Sequence, residues 1–242
     1  PEKTRDLLKW LERDKKRVIN NSRALELEIS KIEQYKELDK FNIKFPKTLS
    51  TKNKNELIER SKEFNKPFIT KHNRGGRGLG VKYFENSKEL EKYVKSQDFE
   101  DSIDNITLLQ EYISSKEKII TRVEFVKGKF LYAVQVDTSE GFELCPADAC
   151  NVDDKFCPAN PDGNKFMILK DYKNSEIKKY EKLLRANGIE VAGIEYIKDK
   201  NGTHYTYDIN TNTNYNSIAE RKVKDKGMDV IAKFLNDELK QN

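Results

Sequence analysis

The sequence predicts an α+β chain of two lobes, a helix-rich first part and a second part dominated by antiparallel strands. Three observations carry this. Up to about residue 106 the apolar residues recur at helical spacing, interrupted by two short strands around a glycine-rich loop. From about Thr107 the pattern changes to period 2. Two hairpin signals follow, Lys127-Gly128 and Lys200-Asn201-Gly202, each between alternating runs.

Leu7, Leu8 and Leu11 with Trp10 predict a first helix, and Arg17-Val18-Ile19-Asn20 a short extended link. Asn21 or Ser22 caps a second helix carrying Leu25, Ile29, Ile32 and Leu38, which Asn42 and Pro46 end. A helix led by Asn55 carries Leu57, Ile58 and Phe64 up to Pro67. Pro67–Lys71 and Val81–Phe84 are strands on either side of the glycine loop, and Ser87 caps a helix bearing Leu90 and Val94. Thr107–Ile113 reads as a buried strand, then Ile119–Val126 pairs with Lys129–Asp137. A polar stretch with Pro and Cys runs from about Thr138 to Asn164. Ile177, Tyr180, Leu183 and Leu184 mark a helix stopped by Gly188. The hairpin of Val191–Ile197 and His204–Asn210 and a final helix with Val230, Ile231 and Leu235 complete the chain.

Composition narrows the function classes. Apolar residues make up 36% of the 242, and aromatics at 10% supply enough area to offset chain entropy. There is no run of 18 apolar residues, so a membrane span is excluded. Forty-six basic against 41 acidic residues give +5, a mixed surface without an arginine-rich or aromatic-interleaved basic run, and no nucleic-acid partner is expected. Pro1-Glu2-Lys3-Thr4-Arg5 carries neither a secretion signal nor an initiator Met, from which a trimmed chain is expected. Three Cys (Cys145, Cys150, Cys157), an odd number at spacings too loose for paired zinc ligands, argue against a disulfide framework and read as ordinary small residues. The cytoplasm is the expected location.

Three segments carry chemistry. Lys71-His72-Asn73-Arg74-Gly75-Gly76-Arg77-Gly78-Leu79-Gly80 brings four glycines and two arginines together, so that backbone N–H groups approach an anion closely; the plainer reading is a flexible hairpin loop. It is neither a P-loop, since no Gly-Lys-Ser/Thr follows, nor a dinucleotide fingerprint, since a strand follows instead of a helix. At Tyr207-Asp208-Ile209-Asn210, period 2 puts Asp208 and Asn210 on one face, two oxygen ligands suited to Mg²⁺, with Glu195 on the partner strand as a third. The plainer reading is a polar sheet face. Gln110-Glu111-Tyr112-Ile113 passes where the lobes should meet and can offer backbone groups to a flat base.

In this order and spacing, over roughly Asn21 to Lys233, the segments resemble the ATP-grasp superfamily, and more closely its RimK-like carboxylate–amine ligases. The resemblance implies two lobes sandwiching ATP, with the preceding N-terminal α/β domain largely absent: residues 1–30 a remnant or linker, 31–106 the small α/β lobe, 107–242 the antiparallel lobe with the metal site. It implies that Lys31, fifteen residues before Pro46, and Lys71 are the ATP-phosphate lysines, with Arg74, Gly75, Gly76, Arg77, Gly78 and Gly80 in the loop over the phosphates. Gln110, Glu111, Tyr112 and Ile113 form the adenine hinge, and Arg122 acts near the phosphates; Lys71 and Arg122 are the catalytic pair. Glu195, Asp208 and Asn210 hold Mg²⁺, or Mn²⁺ in its place.

The acidic residue the family carries two positions before the arginine is Ile120 here, with Glu117 the substitute. Glu143–Asn151 stands where the glutamate ligases carry an arginine-rich segment, so a glutamate substrate does not follow. The implied activity is ATP- and Mg-dependent joining of a small-molecule or peptide carboxylate to an amine through an acyl phosphate. A non-catalytic nucleotide-binding switch and an ATP-grasp kinase are the alternatives.

Overall fold

The computed structural model describes residues 1–75, 80–138, 166–169 and 171–241. Elements in chain order are α1 (Glu2–Arg13), α2 (Ser22–Ile29), α3 (Lys31–Lys40), β1 (Thr48–Thr51), α4 (Lys54–Ser61), β2 (Phe68–His72), β3 (Lys82–Phe84), α5 (Ser87–Val94) and β4 (Thr107–Glu111). They continue as β5 (Ile119–Val126), β6 (Lys129–Asp137), β7 (Phe166–Leu169), α6 (Ile177–Ala186), β8 (Val191–Lys198), β9 (His204–Asn210), a 3₁₀ turn (Ala219–Lys222) and α7 (Gly227–Gln241).

Two antiparallel sheets organise the chain. The first has order β1-β4-β2-β3 and the second β7-β6-β5-β8-β9. Leu57, Phe68, Phe84, Leu90, Val94 and Leu109 form the core between the first sheet and α4 and α5. One face of the second sheet, with Val123, Phe125, Ala133, Ile194 and Ile209, packs against Ala24 and Leu27 of α2, Leu38 of α3 and Tyr180, Leu183 and Leu184 of α6. Full burial of each such aliphatic side chain contributes roughly 1.5–3 kcal/mol.

The expected lobe boundaries need two corrections. β4 lies between β1 and β2, so Thr107–Glu111 belongs to the first sheet and the lobes divide after Glu111, not at 106/107. Ala24 and Leu27 are buried in the core of the second sheet, so α2 is part of the larger lobe and not a linker, and α3 goes with it.

The expected long second helix is also two helices. Ser30 is extended, its hydroxyl accepts from the Glu33 N–H, and it caps α3 at a Ser-x-x-Glu capping signature. Asn53 and Asn86, one or two residues before the expected starts, cap α4 and α5 through their side-chain oxygens. Gly188, at φ +62°, ends α6 as expected, its left-handed backbone closing the last turn.

α1 has no buried residue, and Leu7 and Trp10 are about half exposed. Polar contacts hold it: Lys9–Glu26 at 3.0 Å and the Glu12 carboxylate on the N–H and hydroxyl of Ser22. Among the described residues no helix is long and apolar enough to cross a membrane.

Candidate functional site

Strand register builds the site. Cross-strand partners put Ile168 (β7), Val134 (β6), Arg122 (β5), Glu195 (β8) and Asp208 (β9) in one row across the second sheet. Two residues along, Tyr132, Glu124, Gly193 and Asn210 form the next row on the same face. This is the face opposite the helix-packed core. Each row runs from apolar or aromatic residues on one side to charged and polar ones on the other.

α3 brings Lys31 to the charged end. Gln34 is fully buried, and its amide accepts from the Ile209 N–H at 3.0 Å and donates to the Ile209 carbonyl at 2.9 Å. It acts as a short extra strand on the open edge of β9. Lys31, three residues earlier on the same helix face, is ion-paired with Asp208. Burial disfavours the Lys31 charge, but Asp208 outweighs it and the pKa is raised. Lys71 arrives from the first sheet, its ammonium 5.4 Å from the Tyr35 ring centre and 5.9 Å from that of Tyr207. Burial, then the charge of Lys31, push Lys71 down to about 7.

Glu195 is buried. Its carboxylate accepts from the Tyr207 hydroxyl at 3.0 Å and the Asn210 amide at 3.3 Å. Burial and then the Asp208 charge push its pKa up to about 7. Glu195, Asp208 and Asn210 therefore adjoin: two carboxylates and an amide, all hard oxygen donors fit for Mg²⁺. Among the described residues no group of three His, Cys, Asp or Glu forms a metal cluster.

With Ile120 in place of the family's acid, Glu117 was the expected partner of Arg122. Ile120 is instead part of an apolar cluster with Tyr132, Val134 and Val136, and Glu117 is exposed. The partner is Glu124, fully buried, accepting from Arg122 Nε at 2.5 Å and from the Thr213 hydroxyl at 2.9 Å. Arg122 also donates to the Asn214 carbonyl. Gly193 makes room for this pair: a Cβ there would lie 3.1 Å from Glu124 Oε2 and 3.0 Å from Thr213 Oγ1. Period 2 along β5 places Glu124 beside Arg122 and was the signal that could have found it.

At the expected hinge the Gln110 side chain is buried and donates to the Tyr35 hydroxyl and the Thr48 hydroxyl, each at 2.8 Å, which braces this strand. The Glu111 and Tyr112 N–H groups already donate to the Lys47 and Pro67 carbonyls. Ile113 is buried, and Tyr112 meets Tyr83 edge to face at 5.0 Å. Arg74 pairs with Glu2 of α1 at 2.9 Å, and Gly80 holds φ +75° against the His72 ring. Gly75 is exposed, while Gly76, Arg77, Gly78 and the three cysteines lie outside the described residues.

Two sheets with lysines from separate lobes above a carboxylate-bearing strand pair define an ATP-grasp fold, and solved structures agree. D-cycloserine synthetase DcsG aligns with TM-score 0.68 at 13% identity, over 98% of this chain and 80% of its own. A Chryseobacterium gregarium RiPP-associated ATP-grasp ligase, in complex with ADP and a leader and core peptide, gives 0.65 at 18%, over 98% and 68%. The ATP-grasp ligase PsnB, complexed with minimal precursor, Mg and ADP, gives 0.63 at 16%, over 95% of this chain and 65% of its own. Residues 29–144 match the family model of the RimK-like ATP-grasp domain. No curated protein matches at the sequence level.

Proposed function

We propose that the chain is an ATP-dependent carboxylate–amine ligase that forms an amide or peptide bond and releases ADP and phosphate. One observation carries the reading. Lys31 and Lys71, from different lobes, converge on the row Arg122–Glu195–Asp208. Three cations beside an oxygen-donor set suit a triphosphate with a divalent ion. The RimK-like domain and the peptide-bound ATP-grasp ligases of the same fold support this choice of chemistry.

In this mechanism Lys31, Lys71, Arg122 and the amides of the glycine loop hold the phosphates. Glu195, Asp208 and Asn210 hold Mg²⁺, which when bound neutralises phosphoryl charge. A substrate carboxylate oxygen attacks the γ-phosphorus, and the bond to the ADP oxygen breaks. The amine then attacks the acyl carbon, phosphate leaves, and the amine's proton passes to solvent. Arg122 and Lys71 act by charge stabilisation, and loss of one such group costs about 10²–10³ in rate. Lys71 is buried and Arg122 largely shielded from solvent, and a site with little water strengthens each interaction.

The test incubates the protein with ATP, Mg²⁺, hydroxylamine and a panel of free and peptide carboxylates. One ADP per hydroxamate is expected. AMP as product overturns the mechanism, and a phosphorylated alcohol makes the protein a kinase.

A further inference from the structure

The face that carries Arg122 continues past it into a small cleft of about 60 Å³ over β6 and β7. The apolar ends of the two rows form its wall: Tyr132, Val134, Val136 and Ile168. Glu124 and Glu220 line it as well, and Arg122 stands where the cleft meets Glu195.

The polar groups of this cleft are held in place. Glu220 is buried, and one of its oxygens accepts from the Tyr132 hydroxyl at 2.5 Å and the Gly227 N–H at 2.6 Å. Arg122 is paired with Glu124 at 2.5 Å, which leaves Glu195 and Glu220 as the other carboxyl groups lining the cleft. A second observation is independent of the acids. The Tyr215 hydroxyl, on a lining residue, is buried and has no hydrogen-bond partner among the described residues. Such an orphan is rare, and a polar group of a bound molecule would satisfy it.

We propose that this cleft is the acceptor subsite, and that the acceptor is a primary amine carried on an apolar group, aliphatic or aromatic. The ammonium sits against Glu220 on the side of the Tyr215 hydroxyl, and the apolar body lies on Tyr132, Val134 and Ile168. A carboxylate fits less well, because Arg122, the one cation lining the cleft among the described residues, is already paired with Glu124. The assignment names a substrate class for the ligase reading and rests on it, but its test needs neither nucleotide nor turnover.

The probe is phenethylamine, titrated into the full 242-residue chain by calorimetry and by saturation-transfer NMR. It should bind at least about tenfold more tightly than methylamine, 2-phenylethanol or 3-phenylpropionate. Val134→Trp fills the cleft and should abolish binding. Glu220→Gln keeps the acceptor for Tyr132 and Gly227, removes the charge, and should weaken binding about tenfold. Circular-dichroism melts check that each variant is folded, and Glu220→Gln decides if Val134→Trp is not. Three results overturn the proposal: no saturable binding of phenethylamine up to ~10 mM, equal or tighter binding of 3-phenylpropionate, or no loss of affinity in Glu220→Gln. Hydroxylamine is too small to need the cleft, so the hydroxamate assay can succeed where this one fails, and the reverse.

Discussion

Lys71 should take up a proton when nucleotide binds. In the empty site burial and the Lys31 charge hold its pKa near 7, against an ordinary value of 10.5. About nine-tenths of Lys71 is therefore neutral at pH 8, and about a tenth at pH 6. Phosphate oxygens favour the ammonium and raise the pKa again. Binding thus absorbs about 0.9 proton at Lys71 at pH 8, about 0.5 at pH 7 and about 0.1 at pH 6. Because the complex holds the extra proton, rising pH opposes binding, and the Lys71 contribution to affinity falls by up to about tenfold per unit above pH 7.

The assay is calorimetric titration of a non-hydrolysable ATP analogue in buffers of different ionisation enthalpy, for wild type and Lys71→Met. Glu195 titrates over the same range, so Lys71→Met is compared also in a Glu195→Gln background, where that proton is absent. Stability gives a second readout with a defined sign. The folded pKa lies below the unfolded one, so Lys71 destabilises the empty fold fully below about pH 7, and the penalty fades as pH rises toward 10.5. At about 1.36 kcal/mol per unit over this shift, the upper bound is about 5 kcal/mol. Lys71→Met should therefore raise the melting temperature more at pH 6 than at pH 10. Equal proton uptake in both proteins, or a variant no more stable at pH 6, would refute the reasoning.

Three further outcomes are expected. Asp208→Asn should abolish Mg-dependent nucleotide binding by calorimetry, whereas Asp208→Ala should also lower stability by about 3–5 kcal/mol, since it strands the buried Lys31 ammonium; unchanged Mg–nucleotide affinity in Asp208→Asn would remove it from the metal set. Gly193→Ala crowds Thr213 Oγ1 at 3.0 Å, Glu124 Oε2 at 3.1 Å and Arg122 Cδ at 3.3 Å, and should cost about 1–3 kcal/mol while displacing Arg122 and lowering turnover; wild-type turnover in the variant would contradict that packing. Leu27→Ala should cost about 2–5 kcal/mol in chemical denaturation, because α2 belongs to the main core; a loss under about 0.5 kcal/mol would return α2 to the status of a linker.

The parts legible in the sequence were those with a local cause. Period 2 and the Lys127-Gly128 and Asn201-Gly202 turns placed β5, β6, β8 and β9 nearly to the residue. The break at Ser30 was written in Ser30-x-x-Glu33, but the apolar stripe from Leu25 to Leu38 runs through it and hid it. β1 and β7 have four residues each, too few to show alternation. Motif order put Gln110 at the hinge. That its side chain turns inward depends on Tyr35 and Thr48, 75 and 62 residues away. Glu220, Tyr215 and the cleft they line arise from tertiary packing with no period of their own.

The charged row is a property of register, and register at an open sheet edge needs a cause. β9 is an edge strand, paired among the described residues with no strand but β8, and a slip of one residue would exchange Asp208 with a neighbour that faces the opposite side. That neighbour, Ile209, is fully buried in the main core, so the slip would carry an apolar side chain out of the core and a carboxylate into it. Gln34 adds a directional lock, since its amide holds both the N–H and the carbonyl of Ile209 and fits no neighbouring peptide with α3 in place. The same helix delivers Lys31 to Asp208. One contact between α3 and the sheet edge thus fixes the strand that bears the proposed metal ligands and the lysine proposed to reach the phosphates beside them, which is why two groups 177 residues apart meet in the folded chain.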